Sequence, residues 1–158
     1  MDINKVIESR RKELGLSDQQ VADSIGVNLS SYLDIEWHEN ELRKAVWLGK
    51  IKLLSQTLGL EMFELLSMEC AFCDGRIAYL EEYRLPRHEL IKVLREKEGL
   101  SQYELAERSD YYEEGIQAMA RDSDYLERAF VEDVQDLVAP LKVPLQILLG
   151  VKCQKCGH

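Results

Sequence analysis

The spacing of apolar residues predicts a chain of short helices. Ile3, Val6, Ile7 and Leu14 recur at helical intervals, and Gly15 follows at a place where glycine commonly ends a helix. The amino-terminal pattern therefore predicts a first helix that stops just before this glycine.

Capping signals predict where the next helices begin. Ser17 is followed three residues later by Gln20, and Ser101 is followed at the same interval by Glu104. This spacing is typical of a capping box, in which each side chain accepts a hydrogen bond from the backbone N–H of the other residue. Gly26 is expected to end the helix that begins after Ser17. Each half of the chain is thus predicted to contain a helix that starts at an equivalent serine.

Further helices are predicted on both sides of the middle of the chain. They are a third helix capped by Asn28 that runs to about Trp37, a long helix over residues 42–58, and a second long helix from Ser123 or Asp124 to a limit near Pro140. The segment "RIAYLEEY" (76–83) fits either a short strand or a helical connector. The fold class indicated is all-α.

An internal repeat relates the two halves. At an offset of 84 residues, "ESRRKELGLSDQQVADS" (8–24) aligns with "KVLREKEGLSQYELAER" (92–108). The aligned pairs include Arg11 with Arg95, Gly15 with Gly99, Leu16 with Leu100, Ser17 with Ser101 and Ala22 with Ala106. After the loss of one residue in a later helix, Cys70 and Cys73 align with Cys153 and Cys156 at an offset of 83. The two Cys-x-x-Cys pairs are therefore one feature present twice.

Charge and composition limit the classes of function. The formal net charge is −9 with a pI near 4.9, which argues against a broad basic surface for non-specific nucleic-acid binding. The amino-terminal stretch lacks the apolar core of a signal peptide, and the most apolar segment is interrupted by Pro140, Lys142 and Pro144. A cytoplasmic protein without a membrane association is expected. In a reducing compartment, paired cysteines are metal ligands or a redox couple more often than stable disulfides.

Three segments resemble one family of DNA-binding domains. "LREKEGLSQYELAE" (94–107), "LGLSDQQVADSIGVNLSSYLDIEWHENEL" (14–42) and "LSQTLGLEMFELL" (54–66) are similar to lambda-repressor-like, XRE-type helix-turn-helix domains. The resemblance implies two tandem five-helix domains in which the third helix enters the DNA major groove. The organisation predicted is a first domain (1–69), a cysteine knuckle with linker (70–86), a second domain (87–151) and a second knuckle (152–158).

The resemblance also implies which residues face DNA. In the first copy they are Asp18, Gln19, Asn28, Leu29, Ser30 and Ser31, with Arg10, Arg11 and Lys12 of the first helix beside them. In the second copy they are Gln102, Tyr103, Tyr112, Glu113 and Glu114. Neither of the third-helix segments "NLSSYLDIEW" and "YYEEGIQAMA" contains Lys or Arg, and Glu113 and Glu114 would lie against phosphates. DNA contact is expected mainly from the first copy, through Arg11, Gln19, Asn28, Leu29, Ser30 and Ser31, with Gln102 in the second.

The four cysteines have the spacing of a zinc site. In a Cys-x-x-Cys turn closed by glycine, two thiolates converge on one ion, and amides of the turn can donate to sulfur. Two such knuckles, Cys70 with Cys73 and Cys153 with Cys156, complete a tetrahedral shell for one structural Zn²⁺ per chain. Such a zinc-ribbon-like site is expected to join the ends of the two helix-turn-helix domains. Arg76, Lys152 and Lys155 are placed to offset its negative charge.

Other uses of the cysteines remain open from the sequence. A redox pair, an iron–sulfur cluster and unligated thiols are the alternatives, although a redox pair would need a thioredoxin-like context that the pattern lacks. His158 follows Cys156 closely enough to replace a thiolate as ligand, whereas a terminal histidine is more often exposed.

Two functions follow from these features. The first is a DNA-binding transcriptional regulator with two linked helix-turn-helix domains. The second is a non-catalytic interaction module whose acidic, aromatic face in the second domain, around Tyr111 and Tyr112, binds a regulator, a toxin or a transcription component. The alternative for these two tyrosines is a structural one, with one buried and the other exposed, and Trp47 is expected in the first core. No nucleophile, acid–base pair or phosphate loop indicates an enzyme. A homodimer is compatible with either function.

Overall fold

The computed structural model describes residues 2–158 and divides the chain into two compact units, Met1–Glu69 and Cys70–His158. Helices and connecting turns account for the described part of both units, and no β-strand is found there. The predicted all-α class is confirmed.

The first unit contains six helices within its described residues. They are α1 (Ile3–Glu13), α2 (Asp18–Ile25), α3 (Leu29–Trp37), α4 (Glu41–Lys44), α5 (Leu48–Leu58) and α6 (Met62–Leu65). Helix α2 packs against α3 and α5, and α1 packs against α3 and α5. The core consists of apolar side chains that recur at helical spacing on these faces: Ile7, Val21, Ala22, Ile25, Ile35, Leu48, Ile51, Leu54 and Leu58.

The predicted caps of α2 and α3 are confirmed. The Ser17 hydroxyl accepts a hydrogen bond from the Gln20 N–H at 3.1 Å, and the Gln20 side chain accepts from the Ser17 N–H at 2.8 Å. Gly26 ends α2 in the left-handed conformation, with φ of 67°, which glycine adopts without steric cost. Two residues later the Asn28 side chain accepts from the Ser31 N–H at 2.8 Å and starts α3. Local chemistry therefore determines the turn between α2 and α3.

The continuous helix predicted over 42–58 is wrong, because the chain breaks between α4 and α5. Trp47 is extended and precedes α5, with Val46 and Leu48 both buried beside it. In an unbroken helix, residues two apart point to different faces, so only the break lets both side chains enter the core. The same break turns Trp47 outward. Its side chain is 46% exposed, which contradicts the core position expected from the sequence.

The second unit contains six α-helices and two 3-10 helices. The 3-10 helices are Glu81–Arg84 and Tyr125–Arg128, and the α-helices are α7 (Arg87–Lys97), α8 (Gln102–Ser109), α9 (Glu113–Met119), α10 (Val131–Gln135), α11 (Val138–Leu141) and α12 (Leu145–Leu149). Their buried apolar faces include Leu90, Ile91, Leu94, Leu105, Ile116, Met119, Val131, Val134, Leu137, Leu148 and Leu149. The segment 76–83 forms no strand; its end enters the first 3-10 helix.

The capping box of the second half is also confirmed. The Ser101 hydroxyl accepts from the Glu104 N–H at 3.0 Å, and the Glu104 carboxylate accepts from the Ser101 N–H at 2.7 Å. Helix α8 then ends at Asp110, which takes the left-handed conformation with φ of 55° at the place of a C-capping glycine. The second half thus repeats the capped start of the first, but ends the helix with a less suitable residue.

The long helix predicted from Ser123 or Asp124 to Pro140 is replaced by three short elements. Phe130 is extended, and its neighbours Ala129 and Val131 are both buried, so the break repeats the arrangement around Trp47. Pro140 lies in the first turn of α11, where the missing N–H costs no helical hydrogen bond. The proline therefore does not end the helix that the sequence predicted.

None of the helices that the structure describes is long and apolar enough to cross a membrane.

Candidate metal centre and candidate interaction surfaces

The four cysteines converge on one point in the second unit. Their Sγ atoms all lie within 4.8 Å of one another. The Sγ atoms of Cys70 and Cys156 are 3.6 Å apart, and those of Cys73 and Cys153 are 3.5 Å apart. Four sulfurs at the usual Zn–S distance of about 2.3 Å on a tetrahedron are roughly 3.8 Å apart. The cluster is therefore compatible with one metal ion held by four thiolates.

Backbone amides of the two turns donate to the sulfurs. The amide of Phe72 donates to Cys70, those of Lys155 and Cys156 donate to Cys153, and that of His158 donates to Cys156. Such donation is possible because each turn folds back on its first cysteine. Left-handed glycines follow both pairs, Gly75 with φ of 69° and Gly157 with φ of 80°. The glycines that closed both pairs in the sequence thus allow the tight turns that expose amides to sulfur.

The thiols differ in how readily they ionise. The amides of Cys156 and Lys155 outweigh burial and lower the pKa of Cys153 to about 7. Interaction with Cys153, and then with Cys70, raises the pKa of Cys73 to about 12. Adjacent thiolates disfavour one another when no cation lies between them. A divalent ion removes this conflict, because its charge stabilises all four thiolates together.

Both knuckles belong to the second unit, Cys70–His158. The sequence predicts a clamp between two helix-turn-helix domains; in the structure both cysteine pairs lie within the unit that begins at Cys70. Phe72, between the first two cysteines, is buried against Tyr79 and Tyr83, with ring centroids 5.2 and 6.1 Å away. This aromatic packing gives a physical reason for the first knuckle to be part of the second unit.

His158 is not among the ligating atoms of the cluster. Its ring stacks on that of Tyr79 at a centroid distance of 4.4 Å and meets Phe72 edge-on at 5.9 Å. The cations expected near the sulfurs are exposed: Arg76 pairs with Asp74 at 3.0 Å, and Lys152 and Lys155 lie at the surface. The terminal histidine therefore closes the aromatic group beside the cysteines.

Gln146 of α12 was missed from the sequence. Its side chain is almost fully buried, its Oε1 accepts from the Ala71 N–H at 2.8 Å, and its Nε2 donates to the His158 carbonyl at 3.3 Å. The repeat contained a signal for it, because the offset of 83 aligns Gln146 with Phe63. The glutamine lies in the apolar run "LQILL", where the other half has phenylalanine. A polar side chain there indicates that buried hydrogen bonds are made at this position.

The predicted DNA-facing residues of the first half lie around the start of α3. Leu29, Ser30 and Ser31 are exposed, and Asn28 is exposed while its side chain caps the helix. Gln19 is exposed at the start of α2, and its Nε2 donates to Asp23 at 2.7 Å. The turn between α2 and α3 thus presents a small, polar, solvent-facing surface.

Arg11 differs from its expected place on a DNA-facing surface. Its side chain is 11% exposed and forms two hydrogen bonds with Glu36, Nε to Oε1 at 2.6 Å and Nη2 to Oε2 at 3.1 Å. The Glu36 side chain is 4% exposed and accepts from the Tyr32 hydroxyl as well. Nη2 of Arg11 also lies 2.7 Å from Asp18. Because Glu36 holds it, the pKa of Arg11 is raised further, and the arginine supports α3 from inside.

The other basic residues of the first unit mostly have intramolecular partners. Arg10 donates to the Leu58 carbonyl at 2.9 Å, Lys12 pairs with Glu8 at 2.6 Å, and Arg43 donates to the Leu66 carbonyl at 2.8 Å. Helices α2 and α3 contain four acidic residues, Asp18, Asp23, Asp34 and Glu36, and neither Lys nor Arg. Any DNA contact of this surface therefore relies on neutral polar groups.

The corresponding surface of the second half is aromatic and acidic. Tyr112 is 84% exposed just before α9, and Glu113 and Glu114 are exposed in its first turn. Tyr103 of α8 is also exposed, and Gln102 is half-buried. Tyr111 is largely buried, and burial raises the pKa of its phenol. The Tyr111 hydroxyl is thus buried while Tyr112 faces solvent, so of these two tyrosines Tyr112 is the one fully available to a partner.

Comparison with known proteins found no matching family model, no similar curated protein and no similar solved structure.

Proposed function

We propose that the chain is a zinc-stabilised helix-turn-helix regulator that binds DNA through its first half. The observation that supports this most is the pairing of α2 and α3 across a capped three-residue turn, with Leu29, Ser30 and Ser31 exposed at the start of α3. The buried pair between Arg11 and Glu36 braces α3 from the core side. The resemblance of residues 14–42 to XRE-type domains supports the same proposal.

In this proposal the surface that contacts DNA, at Leu29, Ser30 and Ser31, carries little charge. The hydroxyls of Ser30 and Ser31 reach phosphate or base edges, and the side chain of Leu29 contacts a thymine methyl or sugar. Few phosphates are neutralised by such a surface, so the salt dependence of binding is shallow. Specificity then comes from fit in the groove rather than from a strong electrostatic attraction.

A charge placed at the start of α3 tests DNA binding. Binding to a random-sequence duplex library is measured by fluorescence anisotropy at low salt for the wild type, Ser31→Glu and the control Gln56→Glu, an exposed change of equal charge on α5. Wild type and control should bind alike, and Ser31→Glu should bind at least about tenfold more weakly, since a carboxylate facing phosphate is repelled. No wild-type binding at low salt, or an equal loss in both variants, would contradict this use of α3.

The cysteine cluster is proposed to hold one structural zinc ion. Four thiolates close the coordination shell, so the ion would stabilise the fold rather than bind a substrate. Metal analysis of purified protein should give about one zinc per chain, and Cys153→Ser should lower this value while Ser123→Ala should not. Fully stable protein without metal would contradict a structural role. Visible absorption typical of an iron–sulfur cluster would show that the cysteines hold such a cluster instead of zinc.

Binding of a basic protein segment is the second candidate, and the exposure of Tyr112 beside Glu113 and Glu114 favours it. Aromatic side chains supply contact area, and the carboxylates complement arginine or lysine. An arginine-rich peptide should then shift the amide resonances of residues 102–119, and Tyr112→Ala should remove most of the shift. Shifts spread evenly over all acidic surfaces would indicate charge attraction alone.

A further inference from the structure

Gln146 is the side chain that links the two knuckles within the second unit. It is 2% exposed, and it joins the backbone of Ala71, one residue after Cys70, to the carbonyl of His158, two residues after Cys156. The two cysteine pairs are far apart in sequence, and this side chain from α12 hydrogen-bonds to both turns. A change in its position would therefore move one turn relative to the other.

The groups that Gln146 contacts belong to the turns that orient sulfur, and its side chain also hydrogen-bonds to the Cys70 sulfur itself. The Ala71 N–H adjoins the backbone amide that donates to the Cys70 sulfur. The His158 carbonyl that accepts from Gln146 also accepts from the Cys153 N–H at 2.6 Å, and this second bond closes the other turn. Gln146 thus acts on the loops that present all four sulfurs, without being a ligand itself.

We propose that Gln146 is a positioning residue that sets the metal affinity of the four-cysteine centre by holding its two knuckles in register. This inference rests on the proposed zinc site and is independent of DNA binding. The carboxamide oxygen accepts from the first knuckle at Ala71, and the carboxamide nitrogen donates to the second at His158, while the side chain also contacts the Cys70 sulfur. When these contacts are satisfied, each sulfur of one pair lies 3.5 or 3.6 Å from a sulfur of the other, so less ordering is needed to bind one ion.

The structure also gives a reason for an amide at this position. An apolar side chain would leave the half-buried Ala71 N–H without its acceptor and remove one donor from the His158 backbone oxygen. A carboxylate would still accept from Ala71, but it would turn an oxygen toward the His158 carbonyl and add negative charge beside four thiolates. Among side chains of this length, only glutamine supplies one donor and one acceptor without charge.

Zinc affinity in the full chain tests the proposal. It is measured by competition with a chromophoric chelator for the wild type, Gln146→Met, Gln146→Glu and the control Gln135→Met, an exposed glutamine of α10 outside both knuckles. We expect about 10- to 100-fold weaker binding for Gln146→Met and weaker binding for Gln146→Glu, with the control within about twofold of the wild type. Circular dichroism at saturating zinc checks that each variant keeps its helices.

Cobalt spectra distinguish positioning from a general loss of stability. Co²⁺ bound by the wild type should give the ligand-field bands of a tetrahedral four-thiolate site, and Gln146→Met should change their positions or intensities even at saturating Co²⁺. Unchanged affinity and an unchanged Co²⁺ spectrum in Gln146→Met would overturn the proposal. If Gln146→Met does not fold with zinc, Gln146→Glu decides by the same two measurements. A wild type that binds neither ion would overturn the zinc centre itself, and this inference with it.

Discussion

The two halves of the repeat differ most at one buried arginine. Arg11 in the first half binds Glu36, which also accepts from Tyr32. At the equivalent places the second half has Arg95, Ala120 and Ile116. Both arginines keep a hydrogen bond to a carbonyl five residues ahead, that of Leu16 at 3.0 Å and that of Leu100 at 2.5 Å. The carbonyl bond is thus retained in both halves, and the buried carboxylate is present in the first only.

This difference shows how one scaffold is stabilised in two ways. The first half uses a buried charge pair to tie α1 to the end of α3, whereas the second has Ile116 of α9 and Ala120, the residue just after α9, at the matching places. The second unit has the cysteine centre in addition. A buried ion pair is strongly destabilising when one partner is removed, although the intact pair adds little over apolar packing. The two halves should therefore respond to different perturbations.

Metal removal should produce the largest effect, and it should be confined to the second unit. If zinc is bound, its loss removes roughly 10 kcal/mol of apparent binding free energy, typical of structural sites. Hydrogen exchange followed by mass spectrometry should then show faster exchange in peptides covering 70–84 and 145–158. The first unit serves as the internal control through its tryptophan fluorescence, because Trp37 and Trp47 are the only tryptophans of the chain. Equal loosening of both units would contradict this division.

Removal of the buried carboxylate should produce the next largest effect, in the first unit. Glu36→Leu leaves the Arg11 guanidinium buried without its main partner and should lower the free energy of unfolding by about 3–5 kcal/mol. Urea unfolding monitored by tryptophan fluorescence measures this change.

The double variant Arg11→Met, Glu36→Leu tests whether the unpaired guanidinium causes this loss of stability. It should recover much of the loss, since the unpaired charge is gone. Arg95→Met in the second half, which removes one carbonyl hydrogen bond, should cost only about 1 kcal/mol by hydrogen exchange. A cost for Arg95→Met equal to that of Glu36→Leu would mean that the ion pair is not the distinguishing feature.

The C-caps of α2 and α8 should respond in opposite directions. Gly26→Ala forces a Cβ into the left-handed region and should destabilise the first unit by about 1–2 kcal/mol. The added Cβ would lie 2.7 Å from Nζ of Lys50, the flexible end of a side chain that can move aside, so backbone strain dominates. Asp110→Gly should instead stabilise the second unit by roughly 0.5 kcal/mol. Urea unfolding followed by tryptophan fluorescence checks the sign for the first unit, and hydrogen exchange checks it for the second.

The N-caps should give the smallest effects, and equal ones. Ser17→Ala and Ser101→Ala each remove one side of a complete capping box and should cost about 1 kcal/mol. The matched controls are Ser9→Ala and Ser123→Ala, exposed serines outside these caps, which should cost little. Clearly unequal costs for the two capping serines would show that the repeat does not conserve the energetics of its helix starts.

Sequence patterns were most informative where the structure depends on neighbouring residues. The capping boxes at Ser17 and Ser101, the glycine end of α2 and the Asn28 cap all involve groups within four residues of each other, and each is present as predicted. The predictions of continuous helices over 42–58 and 123–140 were wrong. Periodicity alone does not show, for example, that Val46 and Leu48 enter the same core. That choice depends on helices elsewhere in the chain.

The candidate site divides in the same way. The two matching cysteine turns were predictable from the chain, because amides and sulfurs within each turn are neighbours in sequence. The packing of the helices, by contrast, brings both turns into the second unit with Gln146 between them and holds Arg11 inside, on Glu36. These features join residues 75 and 25 positions apart, and such pairings depend on how helices pack rather than on local spacing.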